Sequence, residues 1–217
     1  MINAKFLPEA RRSALVEDTE RGLRGEINPH PWQTDTCLGQ WHYSRPVYEK
    51  NEYKSAGLVI HFLCDIVAKN GNLLLSVPVR RDGTIDEKET AIVEGIAGWM
   101  GRFSDAIYGT RPWKIAGEGP TQVAGGAFGE EKLKSFSAAD IRFTAKNGAL
   151  YAITLGRPEK SVTINALKGA KVKRVEMAGS TAPLTFRQSA EGLVVTVPDA
   201  ASHDYGVALK IMGEGLV

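Results

Sequence analysis

Charge of one sign, cysteine and long apolar runs are all scarce in this chain. The 27 basic side chains stand against 25 acidic ones, a formal net charge of +2 spread over 217 residues. That balance offers no basic stripe for nucleic acid. The 2 cysteines, Cys37 and Cys64, lack a Cys-x-x-Cys spacing and have no histidine at ligand distance. Two buried thiols are expected rather than a disulfide, with no metal site. No segment approaches the ~18 consecutive apolar residues of a membrane span, and Met1 to Pro8 carries no apolar run of signal-peptide length. As it stands the chain is expected in the cytoplasm, with no membrane partner. What is present is ordinary for a packed protein, 43% hydrophobic and 24% charged residues, enough for one large domain or two small ones.

The pattern changes along the chain. Ala56, Val59, Ile60, Leu63 and Val67 recur at helical spacing, widened by Phe62 and Ile66, and Asn70-Gly71 ends that helix with glycine in the left-handed conformation. Leu73 to Val79 is apolar apart from Ser76 and Pro78, and predicts a strand buried on both faces of a parallel sheet. Asp82-Gly83 turns the chain. Asp86 with Glu89 three residues later forms a capping box, after which Ile92, Ile96, Trp99 and Phe103 line a second helix. Loop, helix, strand, loop, helix is the rhythm of α/β units.

Beyond Trp113 the texture is different. Gly117, Gly119, Gly125, Gly126, Gly129 and Pro120 mark a loose connection to about residue 139. Seven short runs then alternate between turn signals: 141–144, 150–155, 161–164, 172–177, 184–187, 193–197 and 206–211. They predict an antiparallel β-sandwich. The expected domains are 1–112 and 113–217. The β-rich part has one histidine, His203, and no catalytic constellation, because Ser202, His203 and Asp204, adjacent on a strand, point to alternate faces.

The chemistry concentrates near the start, in Glu20-Arg21-Gly22, Pro31-Trp32-Gln33-Thr34-Asp35-Thr36-Cys37 and Trp41-His42-Tyr43. The Pro and Gly residues suggest a loop, and the mixture of one acid, amide, imidazole and indole side chains suits a sugar, which has a polar equator and an apolar C–H face. These motifs, followed by Tyr53-Lys54-Ser55-Ala56, Asn70-Gly71-Asn72-Leu73-Leu74-Leu75, Asp82-Gly83-Thr84-Ile85 and Ala106-Ile107-Tyr108-Gly109-Thr110-Arg111-Pro112-Trp113, resemble the C-terminal half of a glycoside hydrolase family 29 α-L-fucosidase. The resemblance implies the last units of a (β/α)8-type barrel followed by the sandwich, a fucosylated glycan or fucoside as substrate, and retaining hydrolysis without cofactor. It also implies an aspartate nucleophile on an earlier strand, for which this sequence has no counterpart.

A retaining glycosidase needs a second carboxyl group to protonate the leaving oxygen and later deprotonate water. Glu17, Glu20 and Glu26 are the candidates, and by resemblance Glu20, in Glu-Arg-Gly, is the acid/base, on a loop at the barrel's C-terminal face. Many relatives carry glutamate where Gln33 stands. An amide binds but cannot act as the acid. Trp32 and Trp41 are each either a sugar platform or barrel packing, while His42 and His30 are either sugar contacts or surface residues. Arg21 reads as exposed, and Asp35 as a residue tying its own loop together. Arg80 and Arg81 read as a solvated turn or an aglycone contact. Two rival readings stay open: a non-catalytic carbohydrate-binding module derived from the fucosidase, and a homo-oligomer that rebuilds a composite site.

Overall fold

The parallel pairing of four strands organises the first part of the chain. In the computed structural model, which describes residues 2–5, 7–133 and 135–217, β1 (Asn3–Ala4), β2 (Val16–Glu20), β3 (Trp32–Cys37) and β4 (Gly71–Ser76) lie side by side in that order. Between β3 and β4 come a short helix α1 (Arg45–Lys50), opened by Pro46, and α2 (Ala56–Ala68), whose N-terminal amide of Leu58 donates to the Ser55 hydroxyl at 3.2 Å. The left-handed residue after α2 is Asn70, with φ 70°. Gly71 instead opens β4, where a Cβ would lie 2.6 Å from the Trp32 ring and 2.7 Å from Ile66. Glycine is required there for close approach, not for the turn.

The expectation that β4 is buried on both faces is corrected. Leu74 is 55% exposed, because β4 is the edge of the sheet and only one of its faces is covered. Helix α3 (Glu87–Phe103) follows, capped by Asp86, whose Oδ1 accepts from the amides of Glu89 at 2.8 Å and Lys88 at 2.9 Å. No helix among the described residues is long and apolar enough to cross a membrane.

Two compact units divide the chain: Met1–Gly98 with Val123–Ser135, and Trp99–Gln122 with Phe136–Val217. The division falls inside α3 rather than at 112/113. In place of a loose connection, residues 123–135 belong to the first unit, where Gly126 and Leu23 exchange backbone bonds of 2.8 and 3.2 Å.

The second unit is antiparallel throughout. β5 (Arg111–Glu118), β6 (Ile141–Lys146), β7 (Ala149–Thr154), β8 (Ser161–Ile164), β9 (Lys171–Met177), β10 (Phe186–Ser189), β11 (Gly192–Thr196) and β12 (Ala208–Glu214) form two sheets, ordered β5-β6-β7-β12-β9 and β10-β11-β8. Seven of these match the expected runs within a few residues. β5 was hidden by Pro112 and Gly117, which bracket an irregularity in its pairing with β6; a Cβ on Gly117 would stand 2.2 Å from the Ile141 carbonyl oxygen. Here glycine marks a close strand approach, not a loop. Phe143, Leu150, Val175, Leu193, Val195, Leu209 and Ile211 are fully buried. Trp99 joins that core and donates its indole N–H to the Gly206 carbonyl at 2.9 Å.

Candidate active site at the strand ends

The stretch expected as a loop is two parallel strands. Their register pairs Glu17 with Trp32, Asp18 with Gln33, Thr19 with Thr34 and Glu20 with Asp35, so alternation sorts the side chains onto two faces. Trp32, Thr34 and Thr36 take the buried face. Trp32 is 0% exposed and donates its indole N–H to the Lys69 carbonyl at 2.9 Å. It packs the sheet and cannot present a platform to a sugar. Thr34 is satisfied within the sheet, donating to a Thr19 carbonyl at 2.8 Å and accepting from the Gly22 amide at 2.9 Å. Polar residues that are fully hydrogen-bonded can stand in a core, which is why a polar block proved to be strand.

Asp18, Glu20, Gln33 and Asp35 share the other face. Lys5, directly after β1, reaches across it: its Nζ lies 2.8 Å from Glu20 Oε2, 3.2 Å from Asp35 Oδ2 and 3.8 Å from Asp18 Oδ2. The hydrogen bond to Glu20 is the largest influence on Lys5 and raises its pKa, with partial burial opposing. Gln33 donates to Asp18 Oδ1 and accepts from Asn3, both at 3.2 Å. Lys5, just past β1, and Glu20, the last residue of β2, thus meet Asp35 within the C-terminal half of β3.

Glu17 is drawn away from this group. It lies on the opposite face, 2.7 Å from Arg24 and 3.3 Å from Arg12, while Glu26 is exposed. Trp41, 39% exposed, and His42, also exposed, lie beyond β3 outside the packed face. His30 is half-buried, and its carbonyl accepts from Asn28 at 2.7 Å. Arg80 is no free turn residue: it bonds Glu87 at 2.7 Å and lies over the rings of Tyr43 and Tyr48 at 5.9 and 5.7 Å. Arg81 is exposed. Cys37 and Cys64 are buried and not joined in a disulfide, and burial raises the Cys37 pKa against the lowering pull of Lys54 and Arg21.

Sequence reasoning missed one group altogether. Glu130, from the segment that folds back onto the first unit, is buried and ion-paired with Arg21, accepts from the Thr36 hydroxyl at 2.6 Å, and lies 3.4 Å from Lys54 Nζ. Lys54 also donates to the Cys37 carbonyl at 2.7 Å. Arg21, expected in solvent, is 28% exposed in its side chain and holds Glu131 as well, at 3.0 Å. Its backbone is left-handed, φ 45°, and its amide donates to the Asp35 carbonyl at 3.0 Å and Asp35 Oδ1 at 3.1 Å. The only hint in the sequence was an acid pair, Glu130-Glu131, within a glycine-rich stretch. Among the described residues no cluster of His, Cys, Asp and Glu is arranged to hold a metal ion.

Comparison with known proteins bears on this geometry. A family model described as Alpha-L-fucosidase matches residues 1–105, and one described as Alpha-L-fucosidase C-terminal domain matches residues 134–212. An alpha-L-fucosidase of Branchiostoma floridae is 25% identical over 189 residues, covering 85% of this chain and 38% of the relative. The structure of the Thermotoga maritima alpha-fucosidase in complex with fucose is 25% identical with a TM-score of 0.67, covering 90% of this chain and 41% of that one. A further alpha-L-fucosidase structure, 24% identical, aligns with a TM-score of 0.71 over 91% of this chain and 42% of its own. The chain therefore spans less than half the length of the relatives it matches.

Proposed function

We propose, from a chain that belongs to the alpha-L-fucosidase family, that it forms part of a retaining glycosidase releasing terminal α-L-fucose from glycans, with Glu20 as general acid/base. In this reading the four-stranded parallel sheet is an arc of a (β/α)8-type barrel, and the two antiparallel sheets are the sandwich that follows it. The observation that carries the reading is the placement of Glu20. It is the last residue of β2, on the polar face of a parallel sheet, beside Lys5 and in register with Asp35. Strand C-termini are where barrel enzymes build their active sites.

The chemistry asked of Glu20 is a proton delivered to the departing glycosidic oxygen and later removed from the water that hydrolyses the fucosyl-enzyme. Lys5 holds the Glu20 side chain in place at 2.8 Å. The same ammonium lies 3.2 Å from Asp35 Oδ2 and 3.8 Å from Asp18 Oδ2, so it keeps partners on this face when Glu20 carries the proton. Gln33 is tethered at both ends and supplies hydrogen bonds without acid chemistry. Trp41 and His42 stand exposed beyond β3, available to the sugar or the aglycone. Trp32 is excluded by burial. The matches to fucosidases favour this reading over a non-catalytic module.

The leaving group supplies the test. In the whole enzyme, Glu20→Gln should lower kcat/KM for methyl or saccharide α-L-fucosides by about 10²- to 10⁴-fold, yet spare kcat/KM for the 2,4-dinitrophenyl fucoside, whose phenolate departs without a proton, while its kcat falls because the fucosyl-enzyme has lost its base. Equal losses of kcat/KM on both substrates would remove Glu20 from the acid role. On the purified chain, a fucose titration followed by amide NMR should move Glu20, Gln33 and Asp35 first.

A further inference from the structure

We propose that Glu130 is a positioning residue for the strand-end site: it holds the Arg21 guanidinium away from Glu20 and fixes the backbone on which Glu20 stands. The inference rests on Glu20 being the acid/base. Glu130 lies in residues 106–133, between the two matched family segments, so neither match assigns it a role.

The return segment grips the end of β2 by its main chain. The Phe128 amide donates to the Glu20 carbonyl at 2.9 Å, the Glu130 amide to the Arg21 carbonyl at 3.2 Å, and Gly126 and Leu23 bond reciprocally. Glu20, Arg21 and Leu23 are therefore anchored from one side. Gly22 has no room for a side chain, since a Cβ would stand 2.3 Å from the Thr19 methyl group. The left-handed backbone at Arg21 is uncommon outside glycine and needs such support.

The side chain of Glu130 does something different. Arg21 immediately follows Glu20, and the sheet face beside it already carries three carboxylates served by one ammonium. An unrestrained guanidinium at that position would be drawn to Glu20 or Asp35, occupying the proton donor. Glu130 competes for it from a buried site: its side chain is 4% exposed and accepts from Thr36 as well as Arg21, with Lys54 adding a second cation. Glu131, 54% exposed, adds a weaker hold at the rim. A buried carboxylate enclosed by two cations and a hydroxyl does not reach substrate. Its part is to direct Arg21.

Glu130→Gln removes the competing charge while keeping the shape. On the purified chain, NMR reads two signals: the Arg21 side-chain Nε–H and the Glu20 amide, each with and without fucose. The proposal expects the Arg21 Nε–H signal to move, the Glu20 amide to move with it, and fucose to bind about tenfold more weakly, while the amides of α2 and β4 keep their positions. An unchanged Glu20 amide in Glu130→Gln overturns the proposal, whether or not wild type binds fucose. If wild type shows no fucose response but Glu130→Gln still shifts Arg21 and Glu20 together, the acid/base reading fails and the positioning contact stands. Should Glu130→Gln not fold, Glu130→Asp is read the same way, with Glu26→Gln as the surface control. Where the whole enzyme's turnover is measured, a positioning role lowers kcat/KM on poor leaving groups and spares kcat/KM on the dinitrophenyl fucoside; an equal loss of kcat/KM on both denotes a merely structural role and overturns the proposal.

Discussion

Replacing Glu89 by glutamine should make the first unit more stable at alkaline pH, and less so as the solution is acidified. Glu89 is 1% exposed, and its Oε2 has no hydrogen-bond partner among the described residues. Burial is the largest influence and, with the adjacent Asp86 carboxylate, raises its pKa from 4.5 to about 7. Asp86 is held ionised despite its own burial, by the Glu89 and Lys88 amides and the Tyr53 hydroxyl. The neutral carboxyl of Glu89 is thus the form the fold accepts. A carboxyl whose folded pKa lies above its unfolded one binds its proton more tightly in the native state, so its contribution is full below about pH 4.5, declines as the pH rises, and is lost above about pH 7. At ~1.4 kcal/mol per pKa unit, the shift corresponds to up to about 3 kcal/mol. Glutamine is neutral throughout and imposes no such loss. Urea unfolding of both proteins from pH 4 to 8.5, followed by tryptophan fluorescence, should give a stability difference that is small at pH 4.5, rises in favour of Glu89→Gln through pH 6 to 7, and levels off above pH 8. A difference flat across that range, or one favouring wild type at pH 8, would refute the assignment of a buried neutral Glu89.

The two tryptophans of the opening block should separate in a single pair of variants. Trp32→Ala, which empties a fully buried site and removes the indole hydrogen bond to the Lys69 carbonyl, should cost about 3–5 kcal/mol in urea unfolding. Trp41→Ala should cost less than about 0.5 kcal/mol yet weaken saccharide binding in an NMR titration. In the second unit, fully buried Asp140 accepts four hydrogen bonds from the amides and hydroxyls of Thr121 and Ser137, between 2.8 and 2.9 Å. Burial opposes its ionisation, but those bonds win and lower its pKa, a contribution present above the ordinary carboxylate range and lost as pH falls through the folded value. Asp140→Asn should therefore destabilise that unit by about 2 kcal/mol at pH 7, with the deficit shrinking as the pH approaches 3 in parallel acid titrations watched by circular dichroism.

What could be read in the sequence was whatever depends on neighbours along the chain. The periodicity of α2, the Asp86 cap of α3 and the alternating runs of the second unit all report local geometry, and they stand where expected. Glu20 could be singled out because its motif resembles a known one. The errors have a common physical origin in contacts between distant residues. Gly71 and Gly117 looked like punctuation, but each makes room for a close neighbour, Trp32 in one case and the Ile141 carbonyl in the other. Thr34 and Thr36 looked like loop residues because their partners, Thr19, Gly22 and Glu130, are remote in sequence.

Arg21 shows the same limit most sharply. An arginine beside an acid in a charged stretch reads as solvated, since surface ion pairs are weak. It becomes a constrained group only when a carboxylate from more than 100 residues away is buried against it. That carboxylate comes from a segment whose glycines made it look like a linker, and those glycines are what let it lie close: a Cβ on Gly129 would stand 3.1 Å from the Leu23 amide nitrogen. The chemistry of the strand-end site therefore depends on a segment with no recognisable motif, chosen for how closely its backbone can approach. Sequence singles out the acid proposed for catalysis, and only the fold shows the buried carboxylate that pairs with its neighbouring arginine.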